Sequence, residues 1–183
     1  RDLIREKFSD NKMFYDEGPV VAINEHSSDP HFDPETSDGR KFKVGDWVLI
    51  DLWAKLDSMS SMFSDITWVG YIGDKVPPAN QKVFEIVIKA RDLAVAEINK
   101  RFEEGIPIHG WEVDKIARDY INKSGYGNYF NHRLGHSIGS EVHASGVNLD
   151  SLETLDKREI IPGIGLTVEP GIYLPEFGVR SEI

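Results

Sequence analysis

Asp51 sits inside VLIDLWA and Asp65 inside FSDITWV, two runs dominated by apolar, strand-favouring residues. An unpaired carboxylate buried in such a run is costly, so each calls for a partner or a cation. Further along, the chain reads HRLGH at 132–136, EVH at 141–143, EPGIY at 169–173 and GVRSE at 178–182. These segments add Glu169, Glu182 and a cluster of histidines, again beside strand-like sequence. Carboxylate oxygens and imidazole nitrogens together suit Mn, Co, Zn or Fe better than copper or a thiolate-seeking metal. Two such ions roughly 3.5–4 Å apart can share carboxylates and hold a bridging water as hydroxide, which is the chemistry of a hydrolase.

Each piece alone is weak. Asp51 or Asp65 taken singly reads as a structural carboxylate, Glu169 as a turn residue, and Glu182 as an ion-pair partner of Arg180 on the same strand face. His132 and His136 share a face in a strand or in a helix, so their spacing does not choose between the two. Gly135 and Gly139 argue against a helix and for close backbone approach. His143 follows His136 closely enough to join the cluster. His26 and His109 have no such company and read as surface residues.

The chain has 183 residues, 40% hydrophobic and 28% charged, enough for one substantial domain with a real core. Its net charge of −10 disfavours nucleic acid and anionic membrane as partners. There is no cysteine, which excludes disulfides and thiolate metal sites and fits a reducing, cytoplasmic setting. No apolar run approaches the roughly 20 residues that cross a bilayer, and no signal peptide is visible.

The elements that must position these side chains are also legible. Residues 1–17 read as a helix, Pro19 to Ile23 as a short buried strand, and residues 24–40 as a loop rich in Asn, Ser, Asp, Pro and Gly. WVLIDLWA and Met62 to Gly70 read as two strands close enough to form a hairpin. Pro77-Pro78 opens the clearest helix, running to about Phe102 with Val83, Val87, Ala90, Ala94 and Ile98 on one face. Gly105 and Pro107 end it. A second helix covers about Trp111 to Lys123, with Val113, Ile116, Ala117, Tyr120 and Ile121 inward and Gly125 as its C-cap. Pro162-Gly163 reads as a turn before the last strands. Strands, two helices, then strands predict an α+β fold, with helices on one face of a curved, mostly antiparallel sheet.

Taken together, these segments resemble the pita-bread metallopeptidases, the family that includes methionine aminopeptidase, Xaa-Pro aminopeptidase and Xaa-Pro dipeptidase (prolidase). The resemblance runs from about Pro19 to Ile183. It implies that Asp51, Asp65, His136, Glu169 and Glu182 are the metal ligands of a dinuclear centre, most often manganese. Asp51 would chelate through both oxygens, and Asp65 and Glu182 would bridge. His132, four positions before the ligand histidine, and Arg180, two before the last glutamate, resemble the proline-specific branch, as does the GVRSE wording. There His132 would bind substrate beside proline, and Arg180 would orient Glu182. Glu169 would act as general base, with His143 and His31 assisting at the scissile bond.

The resemblance has departures. Leu52-Trp53 replaces an aromatic-glycine pair, and Trp68 stands where an arginine often follows Asp-Ile-Thr. His143 is followed by Ala144-Ser145-Gly146 rather than an acidic residue. The aspartates are 14 positions apart (65 − 51), slightly more than the family spacing. The resemblance further implies that residues 1–183 form a partial catalytic domain cut at both ends. It also implies an N-terminal domain elsewhere, proline-containing peptides as substrates, and a homodimer in full-length form. Glu182 would then lie at a chain end, where order is commonly lost. A metal-free creatinase-like amidinohydrolase and a non-catalytic binding module on the same fold are the competing expectations.

Overall fold

The computed structural model describes residues 1–36 and 39–183. Helix α1 (Asp2–Asp10) opens the chain, and β1 (Met13–Phe14) follows it. The helix read over residues 1–17 therefore ends early. Lys12 adopts a left-handed φ of 53° that turns the chain, and Met13 and Phe14 pair with Leu56 and Lys55. A long-range strand pairing here overrides local helix preference. Strand β2 (Val20–Ile23) comes next, followed by 3-10 turns at Asn24–Ser28 and Pro34–Thr36 within the segment read as a loop. Positions 37 and 38 of that loop lie outside the described residues.

Strands β3 (Trp47–Leu56) and β4 (Ser64–Tyr71) form the anticipated antiparallel hairpin, and β2 pairs along β3 as well. The register matters for chemistry. Asp51 lies opposite Thr67 on one side and Val20 on the other, while Trp53 lies opposite Asp65. Because side chains alternate across a strand, Asp51, Trp53, Asp65 and Thr67 share one face. The same face begins with Trp47, Val69 and Tyr71, which join the hydrophobic core. The hairpin is thus apolar at one end of this face and acidic at the other.

Helices α2 (Pro78–Glu104) and α3 (Gly110–Lys123) pack together. Val83, Val87, Ala90 and Ala94 of α2 and Val113, Ala117 and Ile121 of α3 are all buried, as their spacing predicts; Ile86 widens the α2 stripe. Gly105 ends α2 in the left-handed conformation (φ 67°), and Gly125 follows α3 in the same region (φ 86°). Beyond the helices come β5 (Ser137–Ile138), β6 (Gly165–Leu166), β7 (Gly171–Leu174) and β8 (Phe177–Arg180), with Pro162-Gly163 in a turn.

The fold is α+β and its strand pairs are antiparallel. The single sheet read from sequence is instead divided, among the described residues, into the β1–β4 sheet and two ribbons, β5–β6 and β7–β8. The glycine-rich stretch after α3 makes isolated bridges, such as Gly135 with Leu149, rather than long ladders. The β7–β8 ribbon is two-sided. Ile172 and Val179 pair across it and enter the core with α2, while Gly171 pairs with Arg180 on the opposite side.

Asp114 lies on the buried side of α3 and was not among the residues selected from sequence. It is fully buried and accepts from Arg118 Nε and Nη2 (2.8 Å each), from Leu134 N–H (2.8 Å) and from Ser151 Oγ. Arg118 also donates to the carbonyls of Phe130 (3.0 Å) and His132 (2.8 Å). This pair clamps the segment that carries HRLGH onto the helix. His26 and His109 are partly buried. His26 stacks on Phe32, and His109 forms a reciprocal capping box with Glu112 at the start of α3.

Asp114→Ala leaves the Arg118 guanidinium without its carboxylate. Unfolding free energy should fall by about 3 kcal/mol or more, measured by urea denaturation. A change under about 0.5 kcal/mol would show that the clamp is dispensable.

Candidate functional site

A cleft of about 790 Å³ opens over the acidic end of the β3–β4 face. Its lining includes His31, Asp51, Asp65, His132, His136, His143, Glu169, Arg180 and Glu182, so every residue singled out from sequence reaches this one space.

Asp65, His136 and Glu182 come closest together: one ligand atom from each lies within 4.8 Å of the others. His136 Nε2 is 3.6 Å from Asp65 Oδ2 and 3.5 Å from Glu169 Oε1. Asp51 stands apart from this group. Its Oδ2 pairs with Arg180 Nη2, and its Oδ1 is buried with no partner. Asp65 Oδ1 is likewise buried and unpartnered. Buried carboxylate oxygens normally find a donor, so two orphans in one cleft fit a cation site. Of the two Asp51 oxygens, Oδ1 is thus without a protein partner, and Oδ2 is shared with Arg180.

Arg180 is itself buried. Besides Asp51, it donates from Nε to Thr67 Oγ1 (2.9 Å) and from Nη1 to Tyr173 Oη (3.3 Å). Thr67 in turn donates to Glu182 Oε2 (2.7 Å). Arg180 therefore reaches Glu182 through Thr67, not through the direct ion pair suggested by their spacing. The backbone adds a second tie, because Glu182 N–H donates to Thr67 O at 3.0 Å and Ile183 N–H to Val168 O at 3.4 Å. Glu182, anticipated at a loose chain end, is 2% exposed and fixed to β4.

The histidines occupy different settings. His132 Nδ1 faces Arg133 O at 2.7 Å, so that nitrogen carries the proton, and Nε2 accepts from Tyr173 Oη at 2.8 Å. Both ring nitrogens are thus engaged within the protein. His136 Nδ1 points to Ser137 O (3.1 Å), which leaves Nε2 facing the carboxylates. The rings of His136 and His143 lie edge to face, 4.4 Å apart. His31 is exposed on the wall of the cleft.

These surroundings shift proton affinities. Burial pushes Glu169 up to about 7, with Arg180 and His136 opposing and Asp65 and Asp51 reinforcing. Burial likewise raises Asp51 and lifts Glu182 well above the usual carboxylate range. His132 falls to about 3 through burial and the Arg180 charge, so it stays neutral. Burial tends to lower His136, but Asp65 and Glu169 outweigh it and raise the ring. His143 is lowered by burial and by His136. Burial holds the Tyr173 phenol protonated, up to about 12.

Several positioning residues were not selected from sequence. Thr67 lies two positions after Asp65 on the same strand face, a period-2 signal that was available. Thr167 gives its hydroxyl to Glu169 Oε1 (3.2 Å) and accepts the His136 N–H (3.0 Å). Tyr173 belongs to the EPGIY wording; one partner, Arg180, lies on the paired strand of its own ribbon and the other, His132, 41 positions back. Gly135 is needed sterically, since a Cβ there would lie 2.0 Å from Thr167 O. Gly139 shows no such approach, its nearest contact being at 3.8 Å.

A model of metallopeptidase family M24 matches residues 2–183. An uncharacterized peptidase of Staphylococcus epidermidis is 34% identical over 97% of this chain and 45% of its own length. Among solved structures, a recombinant prolidase from Thermococcus sibiricus superimposes with a TM-score of 0.72 at 34% identity, over 90% of this chain and 40% of that one. Dipeptidase PepE from Mycobacterium ulcerans gives a TM-score of 0.81 at 28% identity, over 99% of this chain and 45% of that one. The chain thus spans less than half the length of these proteins.

A carboxylate whose folded-state pKa is raised binds more protons folded than unfolded. Its contribution to stability is full below the unfolded value and is lost as pH rises through the folded value. For Glu169 that window runs from about 4.3 to about 7. Metal-free Glu169→Gln should therefore gain stability relative to the unsubstituted protein as pH rises from about 5 to about 8, by calorimetry. A difference independent of pH would show that Glu169 is not held up by its surroundings.

Proposed function

The chain belongs to metallopeptidase family M24, and on that premise we propose that it is a dinuclear metal-dependent exopeptidase cleaving the bond between an N-terminal residue and proline. The observation that carries this reading is the convergence of Asp65, His136 and Glu182 beside two orphaned carboxylate oxygens in an open cleft. The likeness to proteins named prolidase and dipeptidase supports the substrate class.

Asp51, Asp65, His136, Glu169 and Glu182 would hold two divalent ions, manganese in this reading, through the oxygen and nitrogen donors that suit such metals. When bound, the ions supply Lewis acidity toward the scissile carbonyl and an activated water. Glu169 would take a proton from the attacking water and return it to the leaving nitrogen. His143, on the His136 side of the cleft, donates to the carbonyl oxygen as charge develops there, assisted by His31. His132, locked by Tyr173 and Arg133 O, presents its ring edge beside proline rather than a free nitrogen. Arg180 holds Asp51 and, through Thr67, Glu182 in place. The cysteine-free composition supports a cytoplasmic location.

Protein loaded with Mn(II) should hydrolyse Ala-Pro. Asp65→Asn should lower kcat/KM by at least about 10–100-fold, since ligand loss costs no less than loss of a ligand's own support. The metal-free Asp65→Asn protein should remain folded by circular dichroism, because a buried charge has been removed. Absence of both turnover and metal uptake in the unsubstituted protein would sink this reading.

A further inference from the structure

Trp53 occupies the cleft floor next to the carboxylates and takes no part in holding metal. The register places it opposite Asp65, with Asp51 two positions back on the same face. Continuing the β2–β3 register beyond Val20↔Asp51 brings Gly18 opposite Trp53. The indole does lie on Gly18, where a Cβ would sit 2.8 Å from ring atom Cη2. Gly18 has a φ of 75°, so both its conformation and the ring above it require glycine. The far edge of the ring is tied down too: Trp53 Nε1 donates to Asp16 Oδ1 at 2.9 Å. Val20 follows along the same side of the floor and also lines the cleft.

The result is a rigid apolar surface one side chain away from Asp51 and Asp65. It lies within one residue's reach of a carbonyl placed over those carboxylates. Arg1 and Arg5 line the same cleft but are engaged by Glu35 and by the carbonyls of Pro19 and Gly18, which leaves Asp16 and Glu17, at the rim beside the indole, to face the end of the substrate that carries an ammonium group. We propose that Trp53 and Val20 floor a subsite for the side chain of the substrate's N-terminal residue, with Asp16 facing its ammonium group. The protein then selects large apolar N-terminal residues over small ones. This inference rests on the exopeptidase reading and adds to it which N-terminal residue is preferred.

Apolar contact in such a subsite is worth about 10-fold or more in discrimination. The test compares Gly-Pro, Leu-Pro and Phe-Pro as substrates of the Mn(II)-loaded protein, then of Trp53→Ala and Trp53→Phe. The unsubstituted protein should favour Leu-Pro and Phe-Pro over Gly-Pro by about 10-fold or more in kcat/KM. Trp53→Ala should erase most of that ratio, chiefly through KM, and Trp53→Phe should keep most of it. A second readout needs no turnover: Phe-Pro should quench the fluorescence of metal-free protein more strongly than Gly-Pro, and Trp53→Phe should remove that difference. An unchanged ratio in Trp53→Ala, or one shifted toward bulky residues, would overturn the subsite. Failure of the unsubstituted protein to cleave any of the three peptides would overturn the exopeptidase reading itself, and the subsite with it.

Discussion

Mutual repulsion among buried carboxylates is the constraint on which this structure turns. Asp51, Asp65, Glu169 and Glu182 share one cleft, and each added negative charge raises the cost of the others. The buried guanidinium of Arg180 offsets part of that cost by pairing with Asp51. It does not reach Asp65 or Glu169 by hydrogen bond, and Glu182 is reached only through Thr67. Burial, reinforced by Asp65 and Asp51, favours the protonated form, which is why Glu169 rises to about 7. Divalent cations would absorb the rest, so metal binding and proton release are linked in this fold.

The scaffold makes this strained arrangement stable by being strongly two-sided. The β3–β4 face runs from Trp47, Val69 and Tyr71 in the core to Asp51 and Asp65 in the cleft. The β7–β8 ribbon does the same across its thickness, with Ile172 and Val179 toward α2 and Arg180 toward the carboxylates. Apolar burial on one side therefore anchors polar groups on the other. Two polar clamps complete the frame. Asp114 and Arg118 fix the approach to HRLGH, and Thr67 joins Arg180 to Glu182.

The cleft also divides its chemistry by wall. The histidine-bearing segment supplies His136 and His143, whose rings touch, and Glu169 meets His136 from the following strand connection. The floor beside the aspartates is instead apolar and rigid, because Trp53 is held between Gly18 and Asp16. Charge-handling groups and shape-reading groups thus come from separate parts of the chain.

Much of this was legible in the chain itself. The 3.6-residue stripes of α2 and α3, the glycines that end them and the β3–β4 hairpin follow from local pattern. The carboxylates and histidines stood out because polar residues interrupt apolar runs. Local pattern failed where distant pairing won, as at Met13 and Phe14, and where glycine-rich sequence left the sheet in separate pieces. The sequence by itself determined which residue types stand at the site and that Asp51 and Asp65 each interrupt an apolar strand; the β3–β4 register then put both on one face. Only the tertiary structure decided which oxygen of Asp51 is free, that Thr67 relays Arg180 to Glu182, and that His132 spends both nitrogens within the protein. The physical reason is separation: Arg180 meets Asp51 across 129 positions and Thr67 meets Glu182 across 115, distances over which no local spacing carries information.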